Sequence, residues 1–435
     1  MRTLITQATM LPMTGEGIVL KGDIAIDGTR IVAVGDVPSQ FTPEKIIHAN
    51  GMIAMPSLIN AHTHASMTYF RNYRDSVSNL HDWLQQIWKL EDLLTAEDIY
   101  PASLLAMAEM IASGTTCFSD MYFFPDRTAQ AAADAKVKAN IGLTLFGDLQ
   151  ESNRRYDQIL PKIKTITERS SGRLTYDIAP HAVYTCSEET FAYAVSIAEQ
   201  EGCRVHTHAS ESLFEVTTSK ERTGASPIGF LDRFGYPTQG SYYAHCVHPI
   251  DRDIHILKEH GVSVVHNPSS NSKLGNGISP ISEYLAQGIN VALGTDGASS
   301  NNSLDMFQEI RLAAMLSSAS AKVASQIKPY AFLEMATIGG ARALGRAHLC
   351  GTLEVGKSAD IILLRLDEPH MIPLNDVFSA VVFSAKSSDV DTVLCDGEIL
   401  MEQRRLLTID IEQLTKEIQS RWNHIQRQAR ERGLQ

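Results

Sequence analysis

From residue 57 to residue 347 the chain repeats one texture, a short apolar run followed by a long amphipathic stretch. Eight runs can be counted: Leu58 to His64, Thr115 to Asp120, Ile141 to Asp148, Leu174 to His181, Cys203 to His208, Ser241 to His245, Val262 to Asn267 and Asn290 to Asp296. Helical segments such as Ala102 to Ala112, Ala129 to Ala139 and Glu188 to Glu201 lie between them. Parallel strands need a crossover of a dozen or more residues, usually a helix, so strand–helix alternation implies a parallel sheet. Eight such units predict an α/β fold, a closed (β/α)8 TIM-type barrel, which takes ~250 residues and tolerates insertions.

Both ends of the chain have a different texture. Ile18-Val19-Leu20, Gly22 to Ile26, the turn pair Asp27-Gly28 and Arg30 to Val34 read as short strands with a hairpin. The same pattern returns after residue 350, with Ala359 to Leu366, Val390 to Cys395, Asp396-Gly397 and Glu398 to Met401. Residues 1–56 and 348–435 are therefore expected to form one small discontinuous β-sandwich domain beside the barrel at 57–347. In the tail, Asp410 to Arg432 spaces Ile411, Leu414, Ile418, Trp422 and Ile425 along one helix face, expected to pack on its own domain. Two units thus replace the three that 435 residues would suggest at ~150 residues per domain.

Composition narrows the function classes. Fifty acidic against 38 basic residues leave a net charge of −12, which argues against nucleic-acid binding. At 44% hydrophobic and 20% charged residues, the chain can bury a large core. No apolar run reaches the ~18 residues of a membrane span. Met1 to Thr6 opens no leader peptide, and the six cysteines form no Cys-x-x-Cys pair, so a reducing cytoplasm is expected.

Histidine carries the chemical signal. Fifteen histidines scattered among 435 residues would give about half a His-x-His pair by chance, yet there are two, His62/His64 and His206/His208. Residues i and i+2 of a strand share a face, and both pairs end apolar runs, where barrels of this kind assemble active sites. His181, His245 and Asp296 end runs in the same way, and Glu211 lies three residues past His208. Imidazoles with one carboxylate make a catalytic divalent-metal site.

Asn60-Ala61-His62-Thr63-His64, His206-Thr207-His208-Ala209-Ser210-Glu211, Ala244-His245-Cys246-Val247-His248 and Gly294-Thr295-Asp296-Gly297 together resemble the amidohydrolase superfamily. Within it, the chain is most similar to the 5-methylthioadenosine/S-adenosylhomocysteine deaminases. Gly114 to Phe118, His266-Asn267-Pro268 and Gly351 to Asp360 extend the likeness over essentially the whole chain. The resemblance implies His62, His64, His208 and Asp296 as metal ligands, Glu211 as proton shuttle and His245 as the group orienting the attacking water, with Asp296 also handling a proton. It leaves His206 as a buried neighbour. A carboxylated lysine, the mark of binuclear members, has no counterpart because the fourth run ends in His181, so one divalent metal per subunit is expected. Zn2+ suits the set, and Fe2+ or Mn2+ could occupy it.

The same resemblance places Glu91 on ribose hydroxyls, His181 on the purine, Trp88 in the substrate wall and Arg155 on a substrate carboxylate. A second arginine common near the third strand is missing; Ile141 to Gln150 offers Phe146 and Asp148 instead. The implied activity is hydrolysis of the 6-amino group of methylthioadenosine, S-adenosylhomocysteine or adenosine, in a homo-oligomer. The alternatives are a hydrolase acting on guanine, a pterin or a substituted s-triazine and, more remotely, a non-catalytic barrel scaffold. His248, His255 and His260 read as surface residues, Cys117, Cys203 and Cys246 as buried apolar groups, and Lys273 to Gly277 as an active-site loop.

Overall fold

The computed structural model describes residues 1–73, 75–76, 80–250, 252–324 and 326–434. Eight parallel strands follow one another in chain order around a barrel: Leu58–Thr63, Thr115–Tyr122, Lys138–Leu145, Leu174–Pro180, Val205–Ala209, Ser241–His245, Ser263–His266 and Val291–Leu293. All eight apolar runs form the strands expected of them. Helix Glu188–Glu201 has the expected bounds, because Ser187 caps its start through the Thr190 N–H and Gly202 ends it with φ of 63°. The expected Ala129 to Ala139 helix is instead Pro125–Ala135. Pro125 fits the first turn, and Lys136, with φ of 64°, turns the chain into the third strand.

The seam between the eighth and first strands is closed by the Asp296 N–H donating to the His62 carbonyl at 3.0 Å. Asn60 adds a side-chain clasp, accepting from the Thr295 N–H at 3.0 Å and donating to Thr295 Oγ1 at 2.7 Å. Gly294 permits this approach, since a Cβ there would lie 2.5 Å from Asn267 Oδ1 and 2.9 Å from the His62 backbone.

The terminal segments pair with each other. Met52–Pro56 lies antiparallel to Ile361–Arg365 with Pro56 opposite Ile361, and only Ser57 separates Met52–Pro56 from the barrel. The small discontinuous β domain expected of the two ends is a nine-stranded mixed sheet: eight strands form one hydrogen-bonded path, and Lys45–His48 pairs beside it with Arg2–Met10. Local pattern marks the strands, but the order of pairing depends on residues some 300 apart. Ile5, Ile24, Ile361, Leu363 and Leu394 share one apolar cluster on this sheet.

The tail helix is Ile411–Glu431, capped by Asp410, and buries Leu414, Ile425 and Ala429. It packs on the barrel's side of the molecule, not on its own sheet: Trp422 stacks on Tyr69 at 6.2 Å, and Arg421 pairs with Asp98 at 3.3 Å. Asp98 belongs to helix Ala96–Ala112, which follows the first strand. Among the described residues no helix is long and apolar enough to cross a membrane.

One buried cation ties the sheet to the barrel. Lys138, 2% exposed at the start of the third strand, donates to Asp360 Oδ1 and Asp396 Oδ1, each at 2.6 Å. Removing one partner of a buried ion pair leaves an uncompensated charge in the interior. Lys138→Met is therefore expected to destabilise the chain by about 3–5 kcal/mol in denaturant unfolding.

Candidate active site

The first strand brings His62 and His64 to one end of the barrel, with His208 at the end of the fifth and Asp296 just past the eighth. His64 Nε2 lies 3.3 Å from both Asp296 Oδ1 and His208 Nε2, and His62 Nε2 lies 3.5 Å from Asp296 Oδ1. Two overlapping donor groups, His62/His64/Asp296 and His62/His208/His245, each fall within 4.8 Å and share His62. The overlap describes a single centre.

Each imidazole has its Nδ1 anchored. His64 Nδ1 meets the Met121 carbonyl at 2.5 Å, His208 Nδ1 the His181 carbonyl at 2.7 Å, and His245 Nδ1 the Asn271 Oδ1 at 2.8 Å. His62 Nδ1 lies 2.8 Å from His206 Nε2. His62 Nε2 is fully buried and has no hydrogen-bond partner, a costly arrangement unless something other than a proton donor fills it. Nitrogen lone pairs converging on a carboxylate fit a divalent cation.

Protonation favours the same reading. Burial, aided by the neighbouring imidazoles, lowers His62 to about 4 and His181 to about 3, and carries His208 well below its ordinary range. Burial also opposes ionisation of Asp296, but His62, His64 and His245 outweigh it and hold that carboxyl well below the carboxylate range. Burial thus disfavours charge on His62, His181 and His208, while Asp296 is held ionised. Ser270 Oγ donates to Asp296 Oδ2 at 2.6 Å and fixes its orientation.

The backbone is bent to aim these groups. Ser210, His245 and Asp296 occupy the left-handed region with φ of 52°, 72° and 60°, at about 1–3 kcal/mol each. Glu211 follows this bend, and its N–H is held by the buried Glu215 carboxylate at 2.7 Å. Asn276 Nδ2 donates to Glu211 Oε1 at 2.8 Å, and His245 Nδ1 lies 3.7 Å from that same oxygen. Burial first, and then the charge of Asp296, push Glu211 well above the usual carboxylate range.

His64, Trp88, Glu91, His181, His208, Glu211, His245 and Asp296 line one cavity, with His62 beneath it. Arg155 does not reach this cavity. It lines a neighbouring one of about 370 Å³, which shares Glu91, Tyr122 and Phe123 as a common wall. Its guanidinium is held by Glu151 at 2.8 Å and lies 5.5 Å from the Phe146 ring centre. Phe146 stacks between Phe123 at 5.4 Å and His181 at 4.8 Å, so an aromatic ladder stands where the second arginine is missing.

Sequence reading missed Ser270, Asn271, Glu215 and Tyr122. The signal available was the polar run Asn267 to Asn271 directly after the seventh apolar run. The Lys273 to Gly277 loop does reach the site, through Leu274 and Asn276. His248, expected at the surface, is half-buried and meets the Asn276 carbonyl at 2.5 Å, while His255 and His260 are exposed.

The fold and the site define the class: the chain belongs to the amidohydrolase family, whose model matches residues 53–400. It is 41% identical over 421 residues to the 5-methylthioadenosine/S-adenosylhomocysteine deaminase of Desulforudis audaxviator, covering 96% of this chain and 97% of that one. It is 40% identical over 420 residues to the 5'-deoxyadenosine deaminase of Methanosarcina mazei, covering 96% of each chain. An adenosine deaminase from Xanthomonas campestris, solved with bound zinc, superposes with a TM-score of 0.91 at 32% identity over 98% of both chains.

Glu91 supplies a titration test. Burial raises it to about 7, while the Tyr122 hydroxyl, donating at 2.6 Å, stabilises its ionised form and lowers it. Tyr122→Phe removes that donor, so the Glu91 carboxyl is expected to stay protonated to higher pH than in the parent. Carboxyl 13C titration by NMR reads the midpoint.

Proposed function

We propose that the chain hydrolyses the 6-amino group of an adenine nucleoside or thionucleoside, releasing ammonia and leaving the 6-oxo base. The observation that carries this reading is one cavity lined by His64, His208, Asp296, the buried acid Glu211 and Glu91, with His62 in the same donor cluster. Two relatives at 40–41% identity are named for deaminating such nucleosides.

His62, His64, His208 and Asp296 would hold one divalent cation, Zn2+ foremost. When bound, such a cation lowers the pKa of water from 15.7 to roughly 7 and so supplies a nucleophile at neutral pH. His245, fixed by Asn271, orients that water. Aromatic C–N hydrolysis also needs a ring nitrogen protonated, so that charge from the attack has somewhere to go. Glu211 takes the proton released by the water and places it on that nitrogen. Its burial suits the task, because a carboxyl pushed up in pKa holds the proton until the ring accepts it. Asp296 takes the second proton, from the hydroxyl added at C6, and gives it to the amino group, so that the C6–N bond breaks as ammonia leaves and the 6-oxo base remains.

Glu91 accepts from the ribose hydroxyls, His181 reaches the purine, and Trp88 completes the wall. The 5' substituent extends past Phe123 toward Arg155. Glu151 already engages Arg155 and also pairs with Arg154 at 2.7 Å, so a substrate carboxylate would compete with Glu151 for Arg155. Phe146 adds apolar surface to that path. Methylthioadenosine, with its apolar tail, is therefore expected to be used at least as well as S-adenosylhomocysteine.

Ammonia release across methylthioadenosine, S-adenosylhomocysteine, adenosine, guanine, a pterin and a chloro-triazine tests the reading. Turnover of the nucleosides and not of the bare rings is expected; preference for a bare ring would refute it. Glu211→Gln is expected to keep its metal and lose a factor of about 10²–10⁴ in kcat. A near-normal rate in that variant would remove the role given to Glu211.

A further inference from the structure

Of the four anchored imidazoles around the centre, three rest their Nδ1 on an oxygen that can only accept. The fourth, His62, rests on another imidazole, His206 Nε2, at 2.8 Å. An imidazole nitrogen donates in one tautomer and accepts in the other, so this contact alone does not settle which His62 nitrogen carries the proton. The next contact does. His206 Nδ1 lies 3.0 Å from the Tyr242 carbonyl oxygen, which cannot donate. His206 Nδ1 therefore carries the proton and Nε2 keeps its lone pair. His62 Nδ1–H donates to that lone pair, and His62 Nε2 is left open toward Asp296, where it has no hydrogen-bond partner.

We propose that His206 is a positioning residue: with the Tyr242 carbonyl it forms a two-step relay that fixes the tautomer of His62 and, through it, the affinity of the centre for its cation. The inference rests on the metal reading of the site. The reverse polarity, with His206 Nε2–H donating to His62 Nδ1, would place the His62 proton on Nε2, facing the other donor atoms, and would set the His206 Nδ1 lone pair against the Tyr242 carbonyl oxygen.

The surroundings hold the relay in this one orientation. His206 and His62 are both fully buried, so no bulk water substitutes for either contact. The His206 ring stacks on the Tyr242 ring with centroids 4.1 Å apart and planes 12° from parallel. The Tyr242 hydroxyl donates to Asp177 Oδ2 at 2.8 Å, and Ser119 Oγ lies 2.8 Å from the same hydroxyl. His206 thus sits on a residue that is itself pinned across the barrel interior. Partners of ligating histidines typically set metal affinity by a factor of 10–100.

The test compares two substitutions by their Zn2+ affinity, measured by competition with a chromophoric chelator. His206→Gln offers a carbonyl oxygen to the His62 Nδ1–H and an amide N–H to the Tyr242 carbonyl, so the relay keeps its polarity. His206→Leu offers neither. The expected result is affinity within about threefold of the parent for His206→Gln and a loss of about 10–100-fold for His206→Leu. The metal-free melting temperature checks the fold of each, and His206→Met replaces the leucine variant if that one does not fold. Parent-like affinity in the apolar variant, or equal losses in both, would overturn the relay. A parent chain that takes up no Zn2+ would instead overturn the metal reading beneath it.

Discussion

The structure depends on how its barrel closes. The hydrogen bond from the Asp296 N–H to the His62 carbonyl joins the last strand to the first, at the height where both residues turn their side chains inward. Had the eighth strand ended one residue earlier or later, Asp296 would face another way and the three imidazoles would have no carboxylate. Gly294 allows the backbones to approach, and the Asn60 amide clasps Thr295 from the side. Asp296 pays for its inward aim with a left-handed backbone, an irregularity of the kind that concentrates at functional positions.

Around this seam the electrostatics are one-sided. Asp296, Glu211 and Glu215 are all buried in one corner of the barrel mouth, and burial lowers His62 and His208 beside them. A buried negative charge without a counter-charge is expensive. Burial raises Glu215 to about 8, against the lowering effect of the Glu211 N–H, and pushes Glu211 up as well, so burial works against charge on both. The third, Asp296, stays ionised, held down by His62, His64 and His245 and by the Ser270 hydroxyl that donates to it. A divalent cation at the shared focus completes the charge balance and gives the open His62 nitrogen its partner.

Much of this was legible in the sequence. Buried parallel strands are apolar on both faces, so each showed as a continuous run, and the spacing of two within His62/His64 placed both on one side. Helix Glu188–Glu201 was readable because its cap and its glycine stop are local. Pro125–Ala135 was misplaced because an alanine-rich stretch carries no stop, and the turn at Lys136 needs no glycine. The tail helix showed its apolar face but not its partner, since a stripe of Leu414, Trp422 and Ile425 does not say which surface covers it. Strand ends revealed His208, His245 and Asp296. Ser270 and Asn271 lie on the short helix Pro268–Lys273 and Asn276 on the loop after it, segments too short to show a periodicity, and their roles depend on the neighbouring strands that bring them to the site. The contact between His62 and His206 spans the barrel from the first strand to the fifth, a distance that no local pattern encodes.

The central claim is that these side chains form one cation site. Its most direct test is the metal content of the purified chain after exhaustive dialysis against metal-free buffer, beside Asp296→Ala treated in the same way. The account predicts close to one divalent ion per chain in the parent and nearly none in the variant. No bound ion in the parent, two per chain, or an unchanged content in Asp296→Ala would contradict it.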